Sequence, residues 1–333
     1  MLKTEIPYYE YNLMNIDKEL KEDIIKEEIK EKKGISSYNI NINIIKFYPL
    51  SFENIDKKLL FSRNNILLSF KTQSLSKKLQ KNLIGISKEL INYIINELSG
   101  FFRTCIKDRN GNYFFSSLIR ICDKEQRLKI IKELSNTISE DSVDEFGTHT
   151  IQNLIEIASN EEEFTLLLSS FKDFNDIIIP SLNKYGTYVI QKIFKHIPEE
   201  LRINFNYIFV NFISVLSRDA FGILAVKAFI GYTKDKIIVM KFCNIISNNF
   251  INICENKYGN YLIQYLLEIW WNKEEGKFLK NKIISKFSIL SQNDYSSHVC
   301  TFFIKLTDIN KTNNGFCNNN QLKDRKKKNI KQK

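Results

Sequence analysis

Proline, glycine and histidine are all scarce in this chain. Of its 333 residues, 4 are proline and 11 are glycine, too few turn-formers for an all-β protein of many short strands. The six cysteines (Cys105, Cys122, Cys243, Cys254, Cys300 and Cys317) form no CxxC pair, and His149, His196 and His298 lie far apart. Such spacing argues against a metal site or a disulfide framework. The cysteines read as reduced, mostly buried thiols of an intracellular protein, and no cofactor is expected. The N-terminus, Met1-Leu2-Lys3-Thr4-Glu5, opens no apolar signal core, and no apolar run approaches the length of a membrane span. There is no HExxH, no phosphate-cradling glycine loop before a lysine, and no Gly-x-Ser-x-Gly elbow. A non-enzymatic protein without a membrane anchor is the expectation.

Apolar material is plentiful: 43% of residues are hydrophobic and 13% aromatic. Its distribution is periodic. Lys257-Tyr258-Gly259-Asn260-Tyr261-Leu262-Ile263-Gln264 has close copies at Lys184–Gln191 and Glu145–Gln152. Looser copies centre on Gly111, Gly222 and Ser296, and a faint one on Leu75. The steps between the seven centres are 36, 36, 39, 36, 37 and 37 residues. A period of that size marks a stack of supersecondary units, each too small to bury its apolar face alone. After Gly147, Ile151, Leu154, Ile155 and Ala158 recur at helical spacing; after Gly259, Ile263, Leu266, Leu267 and Trp270 do the same. Second helices such as Phe164–Phe171 and Lys236–Ile246 lie between them. Trp270 is expected in the core, with Trp271 as half-buried packing.

The positions within the phrase divide by chemistry. Counting from the central residue, the third and fourth are apolar and point into the stack, whereas the first, second and fifth are polar or aromatic. Asn260 and Gln264 are four apart and share a helix face, with Tyr261 beside them. Seven such helices side by side form a ladder, each rung with two short hydrogen-bonding groups and one flat side chain. Amides match the edges of unstacked bases, and rings stack between successive bases.

The phrase Gly259–Gln264 resembles a Pumilio-type (PUF) RNA-binding repeat. So do Gly186–Gln191 and Asn112–Ile131, where Cys122-Asp123-Lys124-Glu125-Gln126-Arg127 follows the family's spacing between helices. Residues 68–80 resemble a first repeat and Ser296-Ser297-His298-Val299 a seventh. The resemblance spans roughly residues 65–306. It implies an all-α, curved right-handed solenoid of about seven repeats that binds single-stranded RNA on its concave face. It further implies base-edge pairs at Ser76/Gln80, Asn112/Ser116, Thr148/Gln152, Thr187/Gln191, Asn260/Gln264 and Ser297/Thr301. The stacking side chains implied are Tyr113, His149, Tyr188, Tyr261 and His298. By the family's code Asn260 with Gln264 reads uracil and Ser76 with Gln80 adenine. The fifth rung departs, with Ile223, Leu224 and Lys227; Lys227 and Lys77 are candidates for phosphate contact. Thr301 stands where a guanine reader needs Glu, and no eighth repeat follows Lys305, so the usual UGUA core is not expected.

The expected organisation is a charged N-terminal extension or cap over 1–60, a repeat domain over 61–306, and an Asn-rich, then basic, disordered tail over 307–333. The formal charge is +11, and the stretch 321–333 alone carries seven Lys or Arg against Asp324, a local excess that favours a polyanionic partner. The expected role is post-transcriptional control of messages bound through their 3′ untranslated regions. Protein partners would dock on the convex side of a cytoplasmic monomer, and the tail offers a nuclear or nucleolar alternative. The other readings are a ribosomal RNA-processing relative with relaxed sequence choice, and a HEAT- or armadillo-like scaffold that binds no RNA.

Overall fold

The computed structural model describes residues 57–309. The expected N-terminal extension up to residue 56 and all of the tail from 310 onward lie outside them. The described residues are helical and contain no strand.

The helices fall into seven units that follow the sequence period. The first holds α1 (Lys57–Leu60), α2 (Arg63–Ser69) and α3 (Gln73–Lys81). The second holds α4 (Lys88–Leu98), α5 (Phe102–Lys107) and α6 (Gly111–Ile121), and the third α7 (Lys124–Leu134), α8 (Ile138–Ser142) and α9 (Gly147–Ile157). The fourth comprises α10 (Glu161–Leu168), α11 (Phe174–Leu182) and α12 (Gly186–His196). The fifth has a 3-10 turn at Glu199–Arg202, then α13 (Ile203–Val210), α14 (Ile213–Leu216) and α15 (Gly222–Tyr232). The sixth has α16 (Lys236–Asn248), α17 (Phe250–Cys254) and α18 (Gly259–Trp270). The seventh has α19 (Glu274–Leu290) and a last helix, α20, over 296–309. The helical pattern thus runs three residues past Leu306.

The repeated phrase opens the last helix of each unit. These helices (α3, α6, α9, α12, α15, α18 and α20) form one layer, the ladder, with α4, α7, α10, α13, α16 and α19 in the opposite layer. From α3 to α15, neighbouring ladder helices touch more extensively than neighbouring outer helices do. The stack is therefore tighter on the ladder side, which makes that side concave in an α-solenoid.

Aromatic contacts run from unit four to unit six. Phe194 of α12 packs edge-on against Phe209 of α13 at 4.8 Å and Phe229 of α15 at 5.4 Å. Phe229 meets Phe242 of α16, and Phe242 meets Trp270 of α18 in a T-shaped contact at 5.9 Å. Aromatic pairs of this kind add to the area they bury. Trp270 is buried, and Trp271 is half-buried against Phe303 under the ammonium of Lys280. The described cysteines are unpaired, and burial pushes the thiols of Cys105 and Cys122 up to about 12.

Ion pairs with a buried carboxylate tie neighbouring units together. Asp141 of the third unit is fully buried and is held by Arg103 and Lys107 of the second, each at 2.9 Å. Glu163 of the fourth is fully buried and meets Arg127 of the third at 2.8 Å. Charges taken this far from water persist only when paired.

Glycine at the phrase centre has a steric cause. In units two to six the middle helix ends against the N-terminus of the ladder helix. A Cβ on Gly186 would lie 2.6 Å from the Cα and carbonyl oxygen of Pro180, and one on Gly147 would lie 2.8 Å from the carbonyl oxygen of Asp141. In the seventh unit Ser296 fills the site, and its hydroxyl donates to the equivalent carbonyl, Leu290, at 2.6 Å. Gly186→Ala is expected to lower stability by about 1–3 kcal/mol, the usual cost of overpacking. The check is chemical denaturation; an unchanged midpoint would show that the two helices can separate freely.

Candidate nucleic-acid interface

Each rung is built on a cap that the phrase alone does not display. Three residues before the centre stands a side chain with an acceptor oxygen: Thr72, Asp108, Asp144, Asn183, Asp219, Asn256 or Asn293. That oxygen takes the backbone N–H of the central residue at 2.6 to 3.3 Å in all seven units. In the last six it also takes the preceding N–H. Donors that a helix N-terminus leaves open are thereby satisfied, and the first turn of every ladder helix is fixed in place. The faint first unit and the loose seventh share this device with the clear ones.

The second position is the exposed one. Tyr113, Tyr188 and Tyr261 are 54%, 51% and 57% exposed. His149 and His298 are exposed at the same register, and so is Lys77. Third and fourth positions are buried in the stack in units two to seven, as the pattern predicts; in the first unit Leu79 is buried but Lys78 is exposed.

First positions differ from expectation. Ser76, Asn112, Thr148, Thr187 and Asn260 are no more than 1% exposed, so a rung does not offer two free groups. Helical spacing put the first and fifth side chains on one face, but the adjacent unit covers the first. Its polar atoms are engaged inside the protein. Asn260 donates to the carbonyls of Asn256 and Lys257, and Asn112 to those of Asp108 and Arg109. The hydroxyls instead cross to the next unit. Ser76 donates to the carbonyl of Asn110, Thr148 to that of Tyr185, and Thr187 to that of Phe221. Each receiving residue immediately precedes the next phrase centre. These bonds staple units one to two, three to four and four to five.

The fifth side chain is the accessible hydrogen-bonding group, and the first one holds it. Gln80, Gln152 and Gln264 are half-buried and donate through Nε2 to Ser76 Oγ, Thr148 Oγ1 and Asn260 Oδ1, at 3.0 to 3.1 Å. The remaining amide hydrogen and Oε1 of each are left for a ligand. Gln191 is different: its Nε2 is buried and, among the described residues, has no hydrogen-bond partner. Such a donor costs about 1–3 kcal/mol until an acceptor reaches it. Ser116 lies 3.3 Å from Thr150 of the neighbouring ladder helix. In the seventh rung Ser297 and Thr301 both donate to backbone carbonyls of their own unit.

The fifth rung is apolar. Ile223 is buried, Leu224 half-buried, and Lys227 sits with its ammonium 5.1 Å from the ring centre of Tyr265 in the next ladder helix. Burial pulls the Lys227 ammonium below the usual lysine range, opposed by the charge of Glu268. It is therefore not the freely extended phosphate clamp that its position implied.

Two cations flank this rung in a form the phrase did not flag. Lys184 lies 4.4 Å over the ring of Tyr185, and Lys257 4.7 Å over Tyr258. A side-chain hydrogen bond to the adjacent tyrosine raises each above the ordinary lysine range, so both stay charged beside the exposed tyrosines. Among the described residues, no group of histidine, cysteine and carboxylate side chains could hold a metal ion, and no helix is long and apolar enough to cross a membrane.

This ladder has known counterparts. A model of the Pumilio-family RNA binding repeat matches residues 104–135, 142–169, 181–204 and 249–270, that is, units two, three, four and six. Pumilio homolog 12 of Arabidopsis thaliana is 23% identical over 273 residues, covering 81% of this chain and 44% of that protein. Suppressor protein MPT5 of Saccharomyces cerevisiae is 28% identical over 222 residues, covering 63% of this chain and 25% of that protein. The chain thus spans less than half the length of these relatives. Among solved structures, the RNA-binding domain of yeast Puf5p bound to SMX2 RNA superposes with a TM-score of 0.66 at 22% identity, covering 75% of this chain and 70% of that one. The Puf4 RNA-binding domain bound to a 3′ UTR recognition sequence of HO endonuclease RNA gives 0.66 at 22%, covering 73% and 75%. At such identities the likeness establishes the fold.

Proposed function

The chain belongs to the Pumilio family of RNA-binding repeat proteins, and on that premise we propose that its ladder face binds single-stranded RNA in the post-transcriptional control of messages. One observation carries this reading. The exposed aromatic second position and the tethered amide fifth position recur in register on the ladder helices of units three and six, at His149 with Gln152 and at Tyr261 with Gln264, and Tyr188 is exposed at the same register between them. A ring accepts any base on its face, and an amide selects by the base edge. In rung six, Asn260 holds Gln264 through one amide hydrogen, which leaves one N–H and the carbonyl oxygen for a base edge. Uracil answers that pair with a carbonyl and its N3–H. The Puf5p and Puf4 domains of the same fold hold bound RNA, which supports assigning RNA to this one. Those relatives also make a scaffold without RNA the less favoured reading.

The other site assignments belong to this proposal. Tyr113, His149 and His298 stack, and Gln80 and Gln152 read edges. The buried first positions act by orienting the fifth ones. Selection of bound RNA from a random pool tests the reading. An enriched motif with uracil opposite rung six is expected, and Asn260→Ser with Gln264→Glu should move that position to guanine. A pool that shows no enrichment and no retention above background would refute RNA reading by this face.

A further inference from the structure

The far side of unit seven, the last unit of the described residues, is built like a junction between units. Three places in a unit meet the next one. Five residues before the phrase centre, Phe70 of unit one packs on Phe114 of unit two at 5.9 Å. One residue after the centre, Thr187 of unit four donates to the Phe221 carbonyl of unit five. Eight residues after it, Phe194 of unit four packs on Phe209 of unit five at 4.8 Å. At this third place units one to six carry Leu83, Ile119, Ile155, Phe194, Ile230 and Leu267, all buried. In unit seven the three places fall to Ser291, Ser297 and Ile304. Ser291 is exposed, Ser297 half-buried and Ile304 49% exposed. None of the three carries a charge. The opposite end is finished differently. The third position after the centre turns to the preceding unit, as Phe114 of unit two does on Phe61 and Phe70 of unit one. In unit one that position is Lys78, which is exposed. A terminal unit of a solenoid needs a polar outer side; unit one has it at Lys78, and unit seven has Ile304.

We propose that the open side of unit seven docks on the same side of a second copy of this chain, giving a two-fold dimer joined end to end. Charge selects this occupant. Head-to-tail stacking would press Lys78 onto Ile304 and bury an ammonium without a partner. The stretch 310–333 offers three large apolar side chains, Phe316, Leu322 and Ile330, among eight Lys or Arg, too little apolar surface to stand in for a unit. An uncharged apolar side complements itself, and a two-fold contact needs only one such surface. The outer helix α19 has 17 residues and is therefore about 25 Å long, so a side two helices wide presents on the order of 500 Å². Two such sides reach about 1,000 Å², the lower end for a specific complex, so the dimer is reversible. It covers Ser297 as the next unit covers the first position of rungs one to six.

Sedimentation equilibrium of the full chain over about 1 to 100 µM, the range for a contact of this size, tests the proposal. The mass should rise from one copy to two and stop there. Ile304→Asp should raise the dissociation constant about tenfold or more, because the contact would then bury a carboxylate without a partner. Ile304 is half exposed in the single copy, so this variant keeps its fold. Ile237→Asp, at a residue 62% exposed on α16 of unit six, should leave the constant within about twofold. Hydrogen exchange at the two ends of the concentration range gives a second readout: α20 should gain protection at the higher concentration and unit one should not. A single copy at every concentration would overturn the dimer, as would growth beyond two copies or association that Ile304→Asp leaves intact. Protection of α20 that is the same at both concentrations would show that the chain covers its own end, and would overturn it too.

Discussion

Tyr188→Ala and Tyr261→Ala are each expected to weaken binding of the selected RNA by about 1–3 kcal/mol, the usual worth of an aromatic stack on an unpaired base. Neither change should move the unfolding midpoint. Both rings are about half exposed, so truncation opens no cavity, and substitutions at such sites usually stay within about 0.5 kcal/mol of neutral. The two residues lie on different ladder helices, in units four and six, so their effects on affinity should add to within about 0.5 kcal/mol. Leu262→Ala serves as the contrast. Leu262 is fully buried one position beyond Tyr261, and its loss should cost about 2–5 kcal/mol of stability while any folded fraction keeps its affinity. Titration by anisotropy, paired with a thermal melt of each variant, separates the two outcomes. If both tyrosine variants bind as tightly as the natural chain, the ladder is not the RNA face.

The tyrosines were legible in the sequence because their role depends on position alone. In units two to seven the third and fourth positions face the core, which turns the second position toward the surface. The same reasoning gave the seven-unit solenoid, because period and apolar spacing persist even where the phrase decays. Leu75 and Ser296 are poor copies by identity, yet both stand in the first turn of a ladder helix with an acceptor oxygen three residues back.

Those caps went unnoticed for a chemical reason. Thr72, Asp108 and Asn183 are three residue types that supply one feature, an acceptor oxygen three residues back, and comparison by identity passes over them. Burial of Asn260 and Thr187 was illegible for a geometric reason. The i, i+4 relation fixes direction around one helix but not how far the neighbouring helix reaches across. The staple from Thr187 to the Phe221 carbonyl spans 34 residues, and the contact of Lys227 with Tyr265 joins different units. Neither leaves a local pattern. The sequence therefore displayed the rung positions, while the exposure of each rung side chain was decided by the adjoining unit.

The same limit hid the contact whose loss should most affect the stack. Arg127→Ala is expected to destabilise the protein by about 3 kcal/mol. Arg127 donates from Nε to Glu163 Oε1 at 2.8 Å and from Nη2 to Oε2 at 3.3 Å, joining units three and four. Glu163 is fully buried, so removing its partner leaves a charge without compensation, which costs about 3–5 kcal/mol in comparable pairs. The Ser159 N–H and the Asn160 amide still donate to that carboxylate, which holds the expected loss to the lower end. Arg127→Ala combined with Glu163→Gln should be more stable than Arg127→Ala alone, because the neutral amide oxygen can keep both donors and no buried charge remains. Lys192→Ala is the surface counterpart. Its 2.8 Å bond to Glu156 also joins units three and four, but both side chains meet water, and the expected cost is below about 1 kcal/mol. In a solenoid each unit leans only on its neighbours, so the Arg127 lesion should act at one junction. Hydrogen exchange should rise first in α7 and α10 and later in α18. Simultaneous loss of protection along the whole chain would mean instead that the seven units unfold as one body.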